Sequence, residues 1–143
     1  MSKTVKCLIG LAAVLLMGWI WHGPMGRGEQ FVAGMETAAR RSVDEVGIPG
    51  IDVRFGRAPL TRTATMSGPA DELQREGLGS EMGLSDYVRV VPGVAGVHWT
   101  DEKGGRSLPL LAETLLMLVP PYALGLLIGG LIFGRRRRET FLD

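Results

Sequence analysis

The chain has a single cysteine, Cys7, and only two histidines, His22 and His98. One cysteine excludes an intramolecular disulfide and any cysteine-based zinc site, and it says nothing of the redox compartment. Neither histidine has further ligands clustered near it in sequence, so no metal site is expected. No Ser/His/Asp set has recognisable chemistry around it. The glycines of Gly77–Gly83 lack the lysine that a phosphate-cradling loop requires. These absences point away from an enzyme: no catalytic residue and no cofactor is expected. An excess of one charge is also missing from the middle of the chain. Between Gly26 and Arg106, ten basic residues face twelve acidic ones. Nucleic acid would call for basic side chains clustered on that part, so it is excluded as a partner.

What the sequence has in quantity is apolar chain at both ends. Thr114–Arg138 reads TLLMLVPPYALGLLIGGLIFGRRRR, an uncharged run that ends in four arginines. At about 1.5 Å of rise per residue, roughly twenty helical residues match a hydrocarbon core about 30 Å thick. At the other end, Val5–Trp21 is apolar apart from Lys6 and follows a short start carrying Lys3 and Lys6. A basic start and an apolar core are also the grammar of a signal peptide. Here no small-x-small cleavage site follows, and Trp19 and Trp21 stand at the exit as an interfacial aromatic belt would. An uncleaved anchor is therefore expected, with Cys7 a small apolar residue at its cytoplasmic edge and no lipobox around it. Lys3 and Lys6 precede the first span, and Arg135–Arg138 follow the second. The positive-inside rule then puts both termini in the cytoplasm and the intervening part across the membrane, which in a bacterium is the periplasm.

The organisation expected is an anchor over 1–22, a Gly/Pro-rich joint over 23–28, a domain over 29–100, a linker over 101–108, a second span over 109–134 and a basic tail over 135–143. Within the domain, Phe31, Met35, Ala38, Ala39, Val43 and Val46 recur at helical spacing, and Gly47 suits a C-cap. Ile51–Phe55 and Arg62–Met66 alternate and flank the turn Gly56–Pro59, which predicts a hairpin. Pro69, Asp71 and Glu72 open a second helix that Gly77, Gly79 and Gly83 should interrupt. Ser85 is expected to cap its second piece, Asp86–Val91. Val94–Thr100 predicts a last strand. The fold class is thus α+β, a small αββαβ domain flanked by two transmembrane helices. With so thin a core, such a domain gains from being held beside other protein or membrane.

Two stretches carry a family resemblance: Ala64-Thr65-Met66-Ser67-Gly68-Pro69-Ala70, a strand running into a turn and helix, and Val91-Pro92-Gly93-Val94-Ala95-Gly96-Val97. On these the central half of the chain resembles a BON domain, an αββαβ module of bacterial envelope proteins. The family usually keeps one helix where Gly77–Gly83 would split it. The resemblance implies a non-catalytic module that contacts phospholipid or envelope proteins.

Candidate sites follow from charge and small residues. Arg54, Arg57 and Arg62 gather around the predicted hairpin and could meet anionic headgroups, but the expectation for them is a solvated face offset by neighbouring acids such as Asp52. Glu113 is the one carboxylate embedded in apolar sequence; it could carry protons or ions, or sit at the interface and pair with Arg106. Gly125/Gly129 and Gly130/Gly134 are small-x-x-x-small pairs, which invite contact with Gly10, Ala13 or Gly18 of the first span, with a second copy or with another subunit. Pro120-Pro121 should kink the second span.

Overall fold

The computed structural model describes residues 2–78, 81–102 and 107–134. Arg106, Gly79 and Arg135–Arg138, which carry expectations above, lie outside them. Five helices and five strands follow in order. Helix α1 spans Lys3–His22, capped by the Ser2 hydroxyl accepting from the Val5 amide, and α5 spans Leu110–Gly134. Both are long and apolar enough to cross a membrane. Neither is a core helix, because large apolar side chains such as Leu8, Leu16, Leu116 and Leu131 stay exposed along them. α5 continues as one helix through Pro120 and Pro121.

Between them the chain is α+β and follows the αββαβ order except that a short strand pair divides the second helix in two. Helix α2 spans Arg27–Val46 and ends at Gly47, whose left-handed φ of 78° lets its amide turn back to the Asp44 carbonyl. Its buried stripe is Val32, Met35, Ala39 and Val43. Met35, Ala39 and Val43 are where the sequence pattern put them and Val46 packs against the core, but Phe31 and Ala38, expected on that face, are exposed. Phe31 is 46% exposed while Val32 is fully buried. Val32, Met35 and Ala39 are spaced by three and four, so they form a narrower seam against the sheet. The bulky Phe31 is left at the edge, beside Gly93.

Strands β1 (Asp52–Arg57) and β2 (Leu60–Ser67) pair antiparallel, with Val53 opposite Met66 and Phe55 opposite Ala64. A register shift at Gly56 precedes the turn, which holds a cis Ala58–Pro59 bond. The second helix breaks where expected. Helix α3 is only Glu72–Glu76, and it starts later than Pro69 because the Asp71 carboxylate caps it, with Gln74 closing the box. A two-residue pair of strands, β3 (Gly77–Leu78) and β4 (Glu81–Met82), follows. Gly77 and Gly83 are needed there: a Cβ on Gly83 would strike the backbone of residues 75–77. Helix α4 spans Leu84–Arg89. Ser85 does not cap it. The Asp86 carboxylate accepts from the Gly83 amide instead, and Ser85 is buried inside the helix.

Strand β5 (Gly96–Trp99) returns parallel to β2, giving the order β1-β2-β5. Helices α2 and α4 cover one face, so Val53, Phe55, Ala64, Met66 and Trp99 meet Val32, Val43, Leu84 and Val88 in one core. Trp99 is 1% exposed, and its indole N–H donates to the Ser85 hydroxyl at 3.1 Å. The buried serine exists for this bond, since an indole donor needs a partner when removed from water. Leu110, the first residue of α5, enters the same core, and Pro109 bridges Thr61 of β2. The second apolar helix is therefore seated in the domain, not strung from it.

Candidate functional site

The chemistry-bearing side chains converge where the domain meets the two apolar helices. Arg62 lies two residues before Ala64 on β2 and so projects from the same, helix-covered face. Its Nε donates to Glu113 Oε2 at 2.5 Å and its Nη1 to the Gly93 carbonyl at 3.2 Å. One guanidinium thereby ties β2, the turn before β5 and the first turn of α5. Both side chains are largely withdrawn from solvent, at 31% and 22% exposure. A carboxylate in the first turn of a helix also faces the positive end of the helix dipole. Glu113 was expected near the interface with Arg106 as its partner; Arg106 lies outside the described residues, and Arg62 takes the role.

Around this pair the joint between α1 and α2 closes a cleft. His22 ends α1, and its imidazole packs against Gly28, where a Cβ would come within 2.5 Å of the ring. Arg27 stacks over Trp21 at 5.4 Å from the ring centroid. Among the described residues Arg27 has no carboxylate partner; its guanidinium reaches only the Gln30 side chain, at 3.5 Å. Trp21, Arg27, Phe31, Arg62 and Glu113 line a cleft of about 500 Å³. A second cavity of about 410 Å³ continues between α1 and α5, along Val14, Met17 and Gly18. Trp21, Thr114 and Leu118 belong to both.

The other sequence-derived candidates are not brought together here. Arg54 pairs with Asp52 at 2.5 Å, and Arg57 with Glu36 at 2.9 Å. Arg40 links the two acids, bonding Glu36 and Asp52 at 3.0 and 3.2 Å. The hairpin arginines thus belong to an alternating network, and Arg62 stands apart from them. Gly125, Gly129 and Gly130 have no neighbour within 4 Å of where a Cβ would be. In α1 the glycines do touch: Gly10 lies under Tyr122, and Gly18 under Leu115 and Leu118. Tyr122 also donates to the Cys7 carbonyl. For Gly134 the helix bound alone is described. His98 shares a 3.1 Å hydrogen bond with Thr65 on the uncovered face of the sheet. Among the described residues no group of three His, Cys, Asp or Glu side chains could hold a metal.

A separate hollow of about 550 Å³ surrounds Arg75, which stacks on Trp99 at 4.3 Å and holds Asp101 through both carboxylate oxygens. That hydrogen bond, with one from the backbone of Asp101 itself, keeps the Asp101 carboxyl below its usual 3.8. The hollow seals the edge of the core and presents no reacting pair.

Arg27, Trp21 and Phe31 are not joined by any expectation above. A signal does exist: an arginine one short joint after belt tryptophans stands where headgroups would be. Comparison with family models, with characterised proteins and with solved structures yields no match. The BON-like reading of the αββαβ unit therefore rests on its residues and its element order.

Proposed function

We propose that the chain is a non-enzymatic, double-span protein of a bacterial inner membrane that presents its αββαβ domain on the periplasmic side, for binding phospholipid surface or envelope proteins. One observation carries this reading: the domain is clamped to α5, through Leu110 in its core and the Arg62–Glu113 pair at its base, while His22 at the end of α1 packs on Gly28 of α2. A domain so held keeps one orientation toward the bilayer, which favours surface docking over a loose tether. The basic residues flanking the two helices, Lys3, Lys6 and Arg135–Arg138, support the orientation. The uncovered sheet face, with Arg54, Thr65 and His98, is the surface left for a partner. The experiment is a photo-reactive residue in place of Arg54 in the full-length protein, irradiated in intact cells. A discrete adduct with an envelope protein or a phospholipid is expected, and no adduct from that face removes the reading.

A second reading makes the chain an accessory or assembly subunit of a larger membrane complex. It is favoured by the open glycine face of α5, Gly125, Gly129 and Gly130. Gly129→Leu or Gly130→Leu should then release the protein from a co-purifying complex, and an unchanged complex counts against it. The proton- or ion-handling reading loses ground, because the Glu113 carboxylate already serves Arg62. Glu113→Gln would still test it, through loss of any proton flux.

A further inference from the structure

The cleft at the helix–domain junction is polar at one end and apolar along the rest. At its mouth, Arg62 and Glu113 cancel each other's charge, while Arg27 contributes a positive charge with no carboxylate partner among the described residues. Below it, the slot between α1 and α5 is walled by Val14, Met17, Gly18 and Leu118. The two cavities share Trp21, Thr114 and Leu118, so they adjoin as one open channel along the outside of the helix pair. Its walls hold Val14 to Trp21 of one helix, about 10 Å of axial depth, or roughly two thirds of one leaflet of a 30 Å core.

We infer that this channel holds one anionic membrane phospholipid, its phosphate against Arg27 and one acyl chain between α1 and α5. The inference rests on the double-span reading and deepens it by naming a lipid site built by the helices, away from the sheet face. Among the described residues Arg27, Arg62 and Glu113 leave the mouth a net charge of +1, opposite to that of a singly charged phospholipid. Trp21 sits at the crossover between headgroup and chain, the level indole side chains favour. Phe31, turned out of the domain core, covers the domain side of the mouth.

The test uses the full-length protein in nanodiscs of phosphatidylcholine and phosphatidylglycerol, followed by native mass spectrometry of retained lipid. One phosphatidylglycerol per chain is expected, retained in preference to phosphatidylcholine. Arg27→Gln should lower that preference about fivefold, and Arg27→Lys should restore most of it. Thr114→Phe, at the junction of the two cavities, should abolish retention of either lipid without changing the melting curve. Equal retention of the two lipids, or a preference indifferent to Arg27→Gln, overturns the inference. So does a stoichiometric polypeptide in place of the lipid. Should Thr114→Phe fail to fold, the Arg27 pair decides alone, because that side chain is exposed. Resistance to carbonate extraction separates the two levels. A protein released by carbonate sinks the double-span reading itself, whereas a resistant protein without retained lipid sinks this site only.

Discussion

The two apolar helices carry similar glycines and use them differently. In α1, Gly10 and Gly18 lie under Tyr122, Leu115 and Leu118 of α5, so the helices touch there. In α5, Gly125, Gly129 and Gly130 face open space. Spacing alone marks the α5 glycines as the packing motif, since they are the ones four apart. What decides is where the partner helix lies. The half of α5 next to the domain is fixed by Leu110 and Glu113, and α1 meets α5 along Leu115, Leu118 and Tyr122; the glycines beyond are left free. A small residue is therefore evidence of close packing only when a neighbour occupies the space it leaves.

Substitutions that fill each glycine test this contrast. Gly18→Leu should show the largest effect. Its Cβ alone would lie 2.8 Å from Leu118, and overpacking of this kind costs about 1–3 kcal/mol, read as a lower melting temperature of the full-length protein in detergent. Gly130→Leu should stay within about 0.5 kcal/mol of the parent in the same assay. Equal losses at the two positions would erase the contrast.

The junction sharpens it further. Breaking the Arg62–Glu113 pair from either side should destabilise the protein, and a double-mutant cycle of Arg62→Met and Glu113→Gln should give a coupling of about 1 kcal/mol. No coupling would mean that α5 is held by Leu110 and the Pro109–Thr61 bridge without help from the ion pair. Ser85→Ala, which touches neither apolar helix, should cost about 1–3 kcal/mol by stranding the buried Trp99 indole donor, and leave the α1–α5 contact intact. The smallest effect belongs to Asp101. Its folded carboxyl titrates below the usual 3.8 because Arg75 donates to it. Its stabilising share is thus complete above that value and is lost as pH falls through the lower, folded one. Asp101→Asn should lower the melting temperature slightly at pH 6, and the difference should shrink as the solution is made acid enough to protonate the folded carboxyl. The reverse pH trend would contradict the Arg75 contact.

Much of this architecture is legible in the sequence because it is written in local patterns. The apolar runs, the αββαβ order, the Gly47 cap and the break at Gly77 are all set by neighbours a few residues apart. Met35, Ala39 and Val43 mark the face of α2 correctly, but Phe31 and Val32 are both apolar, and only the sheet decides which one is buried. Ser85 resembles a cap by type, yet its partner is Trp99, fourteen residues on. The cleft was least legible. Arg62 and Glu113 lie 51 residues apart, and no local rule joins a strand residue to the first turn of a distant helix. Arg54 pairs with Asp52, the acid two residues away that the sequence offers, whereas Glu36, which neutralises Arg57, comes from another element.

The central claim is that two apolar helices hold the αββαβ domain on the membrane face opposite their basic flanks. Cys7 is the sole cysteine, so a Cys7→Ser background with Arg41→Cys, on the exposed side of α2, isolates one reporter in the domain. Labelling with a membrane-impermeant maleimide in cells whose outer membrane alone is opened should modify it fully. Modification only after the inner membrane is ruptured would place the domain in the cytoplasm and contradict the account.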